Sequence, residues 1–531
     1  MNKYILKAAS ALLLMGSMLT MNSCSDFLSQ EPQTALSTEQ VFADLDNVQP
    51  FLNGVYYAFR RTRYERTGLY CFLGLDETRQ GDYQVWTEAP QASLDYYNGL
   101  FNRENVCVAA FWNVRWPVII RASQAIDALE RMEVDSADVE RVSNYIGQAK
   151  FYRGAMLFEM TQYWGALPIP SVKNGAIELA GRKTLTETYD YVISDLEDAM
   201  KRLPAEKQAD LRIPTKWAAQ GVLGRLYMSA WEDASLAGVS GKRDYKKAHE
   251  LLSDIIDNGP FRLMPDYADL WNPEKSCEQE AIYSLYWGTI SMDCSGLQWH
   301  IGSRAATSPS TCYFGGYDLV LTSAWSYSKA SETIDGGQGL WENGDLRFEE
   351  SIRTNYVYNG VKCTEVTGFG DDQLGPHYKK YEDIRTDGVE SFWNASKTTY
   401  YLRLADVMLL DAECLAMLGD QGAACDLINQ VRDRGFGGAQ PAELRWSAGA
   451  SQEEFIDKLF DERTRELSCE GWRRIDLIRA GLYQKRVMRH NKWAKETGYL
   501  ENDNHFLLYP IPDTEIKTNP NLTEADQNPG Y

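Results

Sequence analysis

The sequence predicts a mainly all-α protein built of helical hairpins, with one long, irregular, aromatic-rich excursion leaving the helical body. Three observations predict it. Helix-start signals are followed by apolar residues at three- and four-residue spacing. Paired half-patterns mark the two helices of a repeat hairpin. Between the hairpins, residues 261–399 lose helical periodicity while keeping a high share of tryptophan.

Met1–Thr20 reads as a signal peptide. Lys3 and Lys7 form its basic start and Ala8–Leu19 a short apolar core, below the roughly 20 apolar residues that a membrane span needs. No comparable apolar run follows. Ser23 before Cys24, just past that core, resembles a bacterial lipobox. Residues 1–23 are therefore expected to be removed, Cys24 to be lipidated, and 24–36 to act as a tether to a membrane surface. The alternative is ordinary cleavage near Ser23, which leaves Cys24 a spare thiol.

Residues 37–531 are expected to form one domain. Ser37-x-x-Gln40 is a capping box opening a helix that should run to about Arg63. A second box, Thr184-x-x-Glu187, precedes Val192, Leu196, Ala199, Met200 and Leu203 on one apolar stripe, and Pro204 stops that helix. Pro214 suits the first turn of the next helix, which carries Trp217 and Leu223-Gly224-x-x-Tyr227. After a loop come Ala248, Leu252, Ile255 and Pro260. These two half-patterns match the tetratricopeptide (TPR) repeat, with about twelve extra residues in the turn. Gly221 and Gly224 read as points of close approach for a neighbouring helix. A weaker hairpin spans Leu402–Gly419 and Ala423–Gly435, and Asn144–Tyr163 should pair with Thr188–Leu203. TPR-like hairpins are thus expected at about 138–260 and 400–435.

The excursion from Phe261 to Thr399 carries Trp271, Trp287, Trp299, Trp325, Trp341 and Trp393, six of the 15 tryptophans. A long non-helical stretch inside a helical body is usually functional or disordered, and this many aromatics argues against disorder. A second aromatic cluster lies at Tyr83–Trp116. Trp112, Trp116, Trp217, Trp231 and Trp472 fall in helical patterns and are assigned to the core.

Composition excludes several functions. The chain has 54 Lys+Arg against 75 Asp+Glu, a net charge of −21. So acidic a surface repels phosphate backbones and offers no basic patch to anionic lipid, so no nucleic-acid partner is expected. Besides Cys24 there are nine cysteines, with no C-x-x-C, which disfavours a zinc ribbon or a dense disulfide framework. Cys414, Cys425 and Cys469 read as buried thiols.

Catalytic motifs are missing. Five histidines with no H-E-x-x-H leave a zinc hydrolase without ligands, and there is no G-x-S-x-G, P-loop or G-x-G-x-x-G. Gly435-Phe436-Gly437-Gly438 lacks the third glycine, and Asp503 lies in a segment without the glycine of a calcium loop. Neither metal nor cofactor is expected. Glu462, Glu466 and Glu470, spaced i, i+4, i+8, are the one tempting acid cluster, since paired carboxylates serve glycoside hydrolysis. With Arg463, Arg465, Arg473 and Arg474 interleaved, they read instead as an ion network. A neighbouring guanidinium lowers a carboxylate pKa, the wrong direction for a general acid.

The C-terminal third carries a specific series: Tyr401-Leu402-Arg403-Leu404-Ala405-Asp406, Asn429-Gln430-Val431-Arg432-Asp433-Arg434, Glu470-Gly471-Trp472-Arg473-Arg474-Ile475-Asp476, then Leu508-Tyr509-Pro510-Ile511-Pro512 and Gln527-Asn528-Pro529-Gly530-Tyr531. In this order they resemble the SusD/RagB family of outer-membrane nutrient-binding lipoproteins. Cys24-Ser25-Asp26-Phe27-Leu28 and Tyr163-Trp164-Gly165-Ala166-Leu167-Pro168 agree. Ile475 stands where the family has an aromatic, and Glu524-Ala525-Asp526 are extra residues in the tail. The resemblance implies a SusD-like fold and a non-enzymatic, lipid-anchored protein exposed on the outer membrane. It also implies capture of a glycan, or of a peptide on the RagB side, and delivery to a SusC-like TonB-dependent barrel that the protein caps as a lid. In that picture the TPR-like face packs on the barrel, and ligand meets the irregular face.

Sugars present flat apolar C–H faces ringed by hydroxyls, which suits Trp and Tyr with polar partners at the rim. The excursions supply Tyr83, Trp86 and Tyr96, then Trp287, Trp299 and Tyr313, with Arg79 and Asp82 as polar partners. A shallow site of this kind should bind at about 1 mM to 1 μM. A surface glycosidase using carboxylates among these aromatics is the remaining alternative.

Overall fold

The computed structural model describes residues 38–63, 76, 78, 101–233, 235–275, 277–288, 295, 297, 323–334, 337–354, 357–358, 361–362, 376–383, 396–498, 500–501 and 503–531. The leader, Cys24, the tether and Ser37 lie outside them.

The first helix is broken rather than continuous. Thr38–Val41 is a separate turn, and α1 is Leu45–Arg61. The break falls at Asp44, whose carboxylate accepts the Asp46 amide at 2.9 Å and whose carbonyl accepts the Asn47 amide at 3.0 Å. A short acidic side chain that bonds its own backbone ends one helix and starts another.

Helices α2 (Val106–Asn113), α3 (Trp116–Glu130) and α4 (Val139–Trp164) follow. After a small hairpin of β1 (Ser171–Lys173) and β2 (Ala176–Glu178) come α5 (Leu185–Arg202) and α6 (Lys216–Ser229). From Tyr145 to Trp164, α4 is buried on every face, as a helix enclosed by others must be. It packs on α3, α5 and α6. The Thr184 box forms as expected: the Glu187 amide donates to the Thr184 hydroxyl at 3.2 Å, and the Thr184 amide to the Glu187 carboxylate at 2.8 Å. Val192, Leu196 and Ala199 are fully buried, and Met200 sits half-buried at the stripe's edge.

Pro214 does not begin α6. Thr215, extended at φ −98° and ψ 168°, holds the N-cap position, so the proline precedes the cap. Helices α6 and α7 (Tyr245–Asn258) make the repeat-like hairpin, with Trp217, Leu223, Ala248, Leu252 and Ile255 all buried between them and their neighbours. The extra residues of its turn form a second small hairpin, β3 (Glu232–Asp233) with β4 (Gly238–Val239). A Cβ on Gly224 would sit 2.8 Å from Leu252 of α7, and one on Gly221 would overlap Leu402. Gly224 therefore admits a helix, as expected, while Gly221 admits a strand.

That strand is β6 (Thr399–Arg403), which pairs antiparallel with β5 (Ala281–Leu285). Thr399 lies opposite Leu285 and Arg403 opposite Ala281. The helix expected from Leu402 consequently starts only at Leu404, as α8 (Leu404–Met417). It packs on α7, on α9 (Gln421–Gly435) and on α10 (Gln452–Leu467). Then come α11 (Arg473–Arg479) and α12 (Tyr483–His490). The extra tail residues Glu524–Asp526 form a 3-10 turn, and Arg182 donates to the Asp526 carbonyl at 2.7 Å.

Within residues 261–399 the described helices are short: Tyr267–Trp271, Ala324–Tyr327 and Arg347–Ser351. Trp271, Trp325 and Trp341 are buried in the body rather than offered to a ligand, while Trp299 and Trp393 lie outside the described residues. Trp112, Trp217, Trp231 and Trp472 are buried as assigned, but Trp116 is half-buried. Trp231 follows α6 instead of lying within it, and Trp472 is the N-cap residue of α11. Cys414 and Cys425 are buried free thiols, while Cys469 is half-buried, not buried as expected, and held at φ +61°.

Candidate functional site

Of the eight residues read as ligand contacts, Trp287 is the described one. Arg79, Asp82, Tyr83, Trp86, Tyr96, Trp299 and Tyr313 lie outside the described residues. What the structure describes is the base from which their segments depart.

One anchor ties the residue before Arg79 to the residues that follow Tyr313. The Thr78 carbonyl, one residue before Arg79, accepts the Ser323 amide at 2.8 Å and the Ser326 hydroxyl at 3.0 Å. Its own hydroxyl accepts the Tyr378 phenol at 2.8 Å and donates to Asp76 at 2.6 Å. The Asn491 amide donates to the Asp76 carbonyl at 3.3 Å. All six residues are buried, so these bonds are shielded from water and hold firmly. The segment leading to Tyr83, Trp86 and Tyr96 and the segment ending after Tyr313 are thereby brought to a common point. Local signals for this anchor exist in the sequence. Asp76-x-Thr78 forms an Asx turn, with the Asp76 carboxylate accepting the Thr78 amide at 2.7 Å, and Ser323 caps the short helix that holds Ser326. Neither signal says that the two places meet.

Trp287 lies two residues past the end of β5. It is 8% exposed, its indole N–H donates to the Thr399 hydroxyl at 3.2 Å, and the Arg60 guanidinium lies 4.7 Å from its ring centre. Tyr57 takes the same guanidinium at 4.8 Å. A cation held between two rings orients both. Arg60 also donates to the Tyr286 carbonyl, which fixes the strand end from which Trp287 projects. Sequence reading did not single out Tyr57 or Arg60, because helix periodicity gave them no pairing partner.

The acid cluster is an ion network with partners other than those expected. Glu462 meets Arg347 at 2.7 Å, Arg432 at 2.6 Å and Arg465 at 3.1 Å. Glu466 meets Arg403 and Arg434, each at 2.5 Å, and Arg347 at 3.1 Å. Glu470 meets Arg403 and Lys380, both at 2.8 Å. Of the interleaved arginines only Arg465 joins them. Arg463 turns to Asp406 and Asp476, whereas Arg473 and Arg474 donate to the backbone carbonyls of Phe460 and Phe506. Burial alone would raise the Glu466 pKa, but the guanidiniums of Arg434, Arg403 and Arg347 outweigh it and bring it down to about 2. Glu462 is lowered in the same way, by Arg347, Arg432 and Arg465 against burial. Carboxylates so held cannot donate a proton near neutral pH. Among the described residues no group of three or more side chains is placed to hold a metal ion.

The chain matches two family models: one described as the SusD family over residues 319–531, the other as "Starch-binding associating with outer membrane" over residues 26–228. It is 25% identical to SusD-like protein P25 of Formosa agariphila, over 96% of this chain and 97% of that one. It is also 25% identical to the starch-binding protein SusD of Bacteroides thetaiotaomicron, over 70% of each chain. A crystal structure of a SusD homologue from the same Bacteroides species superposes with a TM-score of 0.72 at 21% identity, covering 93% of this chain and 98% of that one. That likeness bears on the fold, which is mostly helical with paired hairpins.

Proposed function

The chain belongs to the SusD/RagB family, and from that membership we propose that it is a glycan-capturing protein of the outer membrane without catalytic activity. Cys24 carries the lipid that holds it at the cell surface, and the captured oligosaccharide or polysaccharide passes to a SusC-like TonB-dependent barrel that the protein covers as a lid. Two family features support this: the starch-binding name of one relative and the outer-membrane description of one matching model.

The observation that supports capture most directly is the Thr78–Ser323 bond. It ties the start of the segment bearing Tyr83, Trp86 and Tyr96 to the end of the one bearing Trp299 and Tyr313, so that several rings can meet one ligand. Arg79 and Asp82 are proposed as rim groups for hydroxyls, and Trp287 as the inner edge. Glu462 and Glu466, whose arginine partners lower their pKa values, support a non-catalytic reading, since neither has a proton to give near neutral pH.

Titrating soluble residues 25–531 against a panel of polysaccharides, with tryptophan fluorescence as readout, tests the proposal. Saturable quenching by one glycan class with no product released is the expected result. No response to any glycan, together with a response to peptides, overturns it in favour of peptide capture.

A further inference from the structure

The turn insertion that lengthens the α6–α7 hairpin walls a cavity of about 480 Å³. Its other walls include the C-terminal end of α8, the α11–α12 connection, and Leu500, Asp503, Asn504, Phe506 and Leu507. Small-molecule sites range over roughly 300–1,000 Å³, so the space suits a compact ligand. Two lining side chains are buried polar groups with no hydrogen-bond partner: the Ser229 hydroxyl, in a residue 2% exposed, and the Trp231 indole N–H, in a residue 6% exposed. Native proteins rarely leave such groups unmet, and each instance calls for a cause.

The remaining lining groups say what chemistry is wanted. Arg479 is already committed to Glu413 and Asp476. One Glu232 oxygen accepts the Ser240 hydroxyl and the amides of Lys242 and Arg243. Gln162 donates its amide to Thr161 and Tyr189, which leaves its carbonyl oxygen to accept. Arg243 uses its Nε on the Ala230 carbonyl at 3.1 Å, which leaves its terminal nitrogens to donate. Glu232, Asp233, Glu413 and Asp503 line the same space against Arg243 and Arg479, a balance that repels an anion. Met417, Ile456, Ile478, Leu500 and Leu507 supply apolar wall.

Donors and acceptors set beside apolar wall match a molecule whose hydroxyls both donate and accept and whose C–H faces are apolar. We propose that this cavity is a second ligand site, taking one neutral, monosaccharide-sized polyol. It stands apart from the capture reading, because it is drawn from the α6–α7 turn and the α11–α12 connection rather than from the excursions.

Isothermal titration of soluble residues 25–531 with D-glucose, D-galactose, D-mannose, L-fucose and myo-inositol tests it. One of these should saturate with a dissociation constant of about 1 mM or tighter. Ser229→Ala and Trp231→Phe should each weaken that binding roughly three- to tenfold, the size of one hydrogen bond, with the thermal unfolding midpoint recorded alongside. Wild-type crystals soaked in the same compound, which need no variant, should show it against Ser229 and Trp231. No saturation by any of the five, undiminished affinity in both folded variants, or a bound molecule found only elsewhere overturns the proposal.

Discussion

Arg403, the last residue of β6, donates to Glu466 in the last turns of α10 at 2.5 Å, and both are sealed from water. The bond joins the strand that closes the excursion to a helix of the C-terminal bundle. Arg403 has three acidic partners, Glu280, Glu466 and Glu470, and Glu466 has three basic ones.

Removing the charge of Glu466 takes one acidic partner from each of three buried guanidiniums, Arg347, Arg403 and Arg434. Glu466→Gln should therefore cost about 3–5 kcal/mol, the usual loss when one member of a buried ion pair is deleted. Urea unfolding followed by circular dichroism reads this directly, and a loss under about 1 kcal/mol would show that the network is not what holds β6 to α10.

The same network predicts a direction for acid unfolding. The Glu466 pKa lies lowered, at about 2 against an ordinary 4.5, and Glu462 and Asp476 are lowered too. Their stabilisation is fully present above pH 4.5 and is lost as pH falls toward 2. The unfolding midpoint should fall steeply across that window in wild type and less steeply in Glu466→Gln.

Asp411 behaves in the opposite sense. Burial raises its pKa to about 6, although His249 sits 2.7 Å away and lowers it. Its contribution is favourable below pH 4 and is lost as pH rises through 6, by roughly 3 kcal/mol. Asp411→Asn cannot ionise, so its stability relative to wild type should improve between pH 4 and pH 7.5. A constant difference across that range would contradict the assignment.

Gly221→Ala should destabilise by about 1–3 kcal/mol, because the new methyl meets Leu402 in a packed interior. Shortening Leu402 to Ala removes the obstacle. Adding Gly221→Ala to Leu402→Ala should therefore cost less than adding it to wild type, and equal costs would mean that the strand is not the constraint.

For capture, Trp86→Ala combined with Trp299→Ala should abolish glycan quenching while leaving the thermal midpoint within about 2 °C, as expected of residues that serve ligand and not the core. Retained affinity would move the site away from these rings.

Local rules made much of the helical body legible. Thr184 and Glu187 cap each other because both lie within one turn, and Ala248, Leu252 and Ile255 repeat at helical spacing. Pairings across long chain separations were not legible. Leu402 reads as helix until Ala281–Leu285 appears beside it, because an edge of unpaired amides and carbonyls outweighs local propensity. Glu462 was seen to need cations, but Arg347 and Arg432 come from segments that no periodicity joins to α10. Thr78 and Ser323 each look like a turn residue, and only their contact makes them an anchor.

The pairing of Leu285 with Thr399 separates the length of the excursion from the integrity of the body. A chain that leaves and returns through two adjacent strands closes its loop on the strands themselves, and doubling such a loop adds only about 0.6 kcal/mol of closure cost. Residues between Leu285 and Ser323 can thus be exchanged for a shorter or longer segment while the helices keep their register. If the proposed capture site is correct, ligand preference sits in a replaceable insert, separate from the scaffold that displays it.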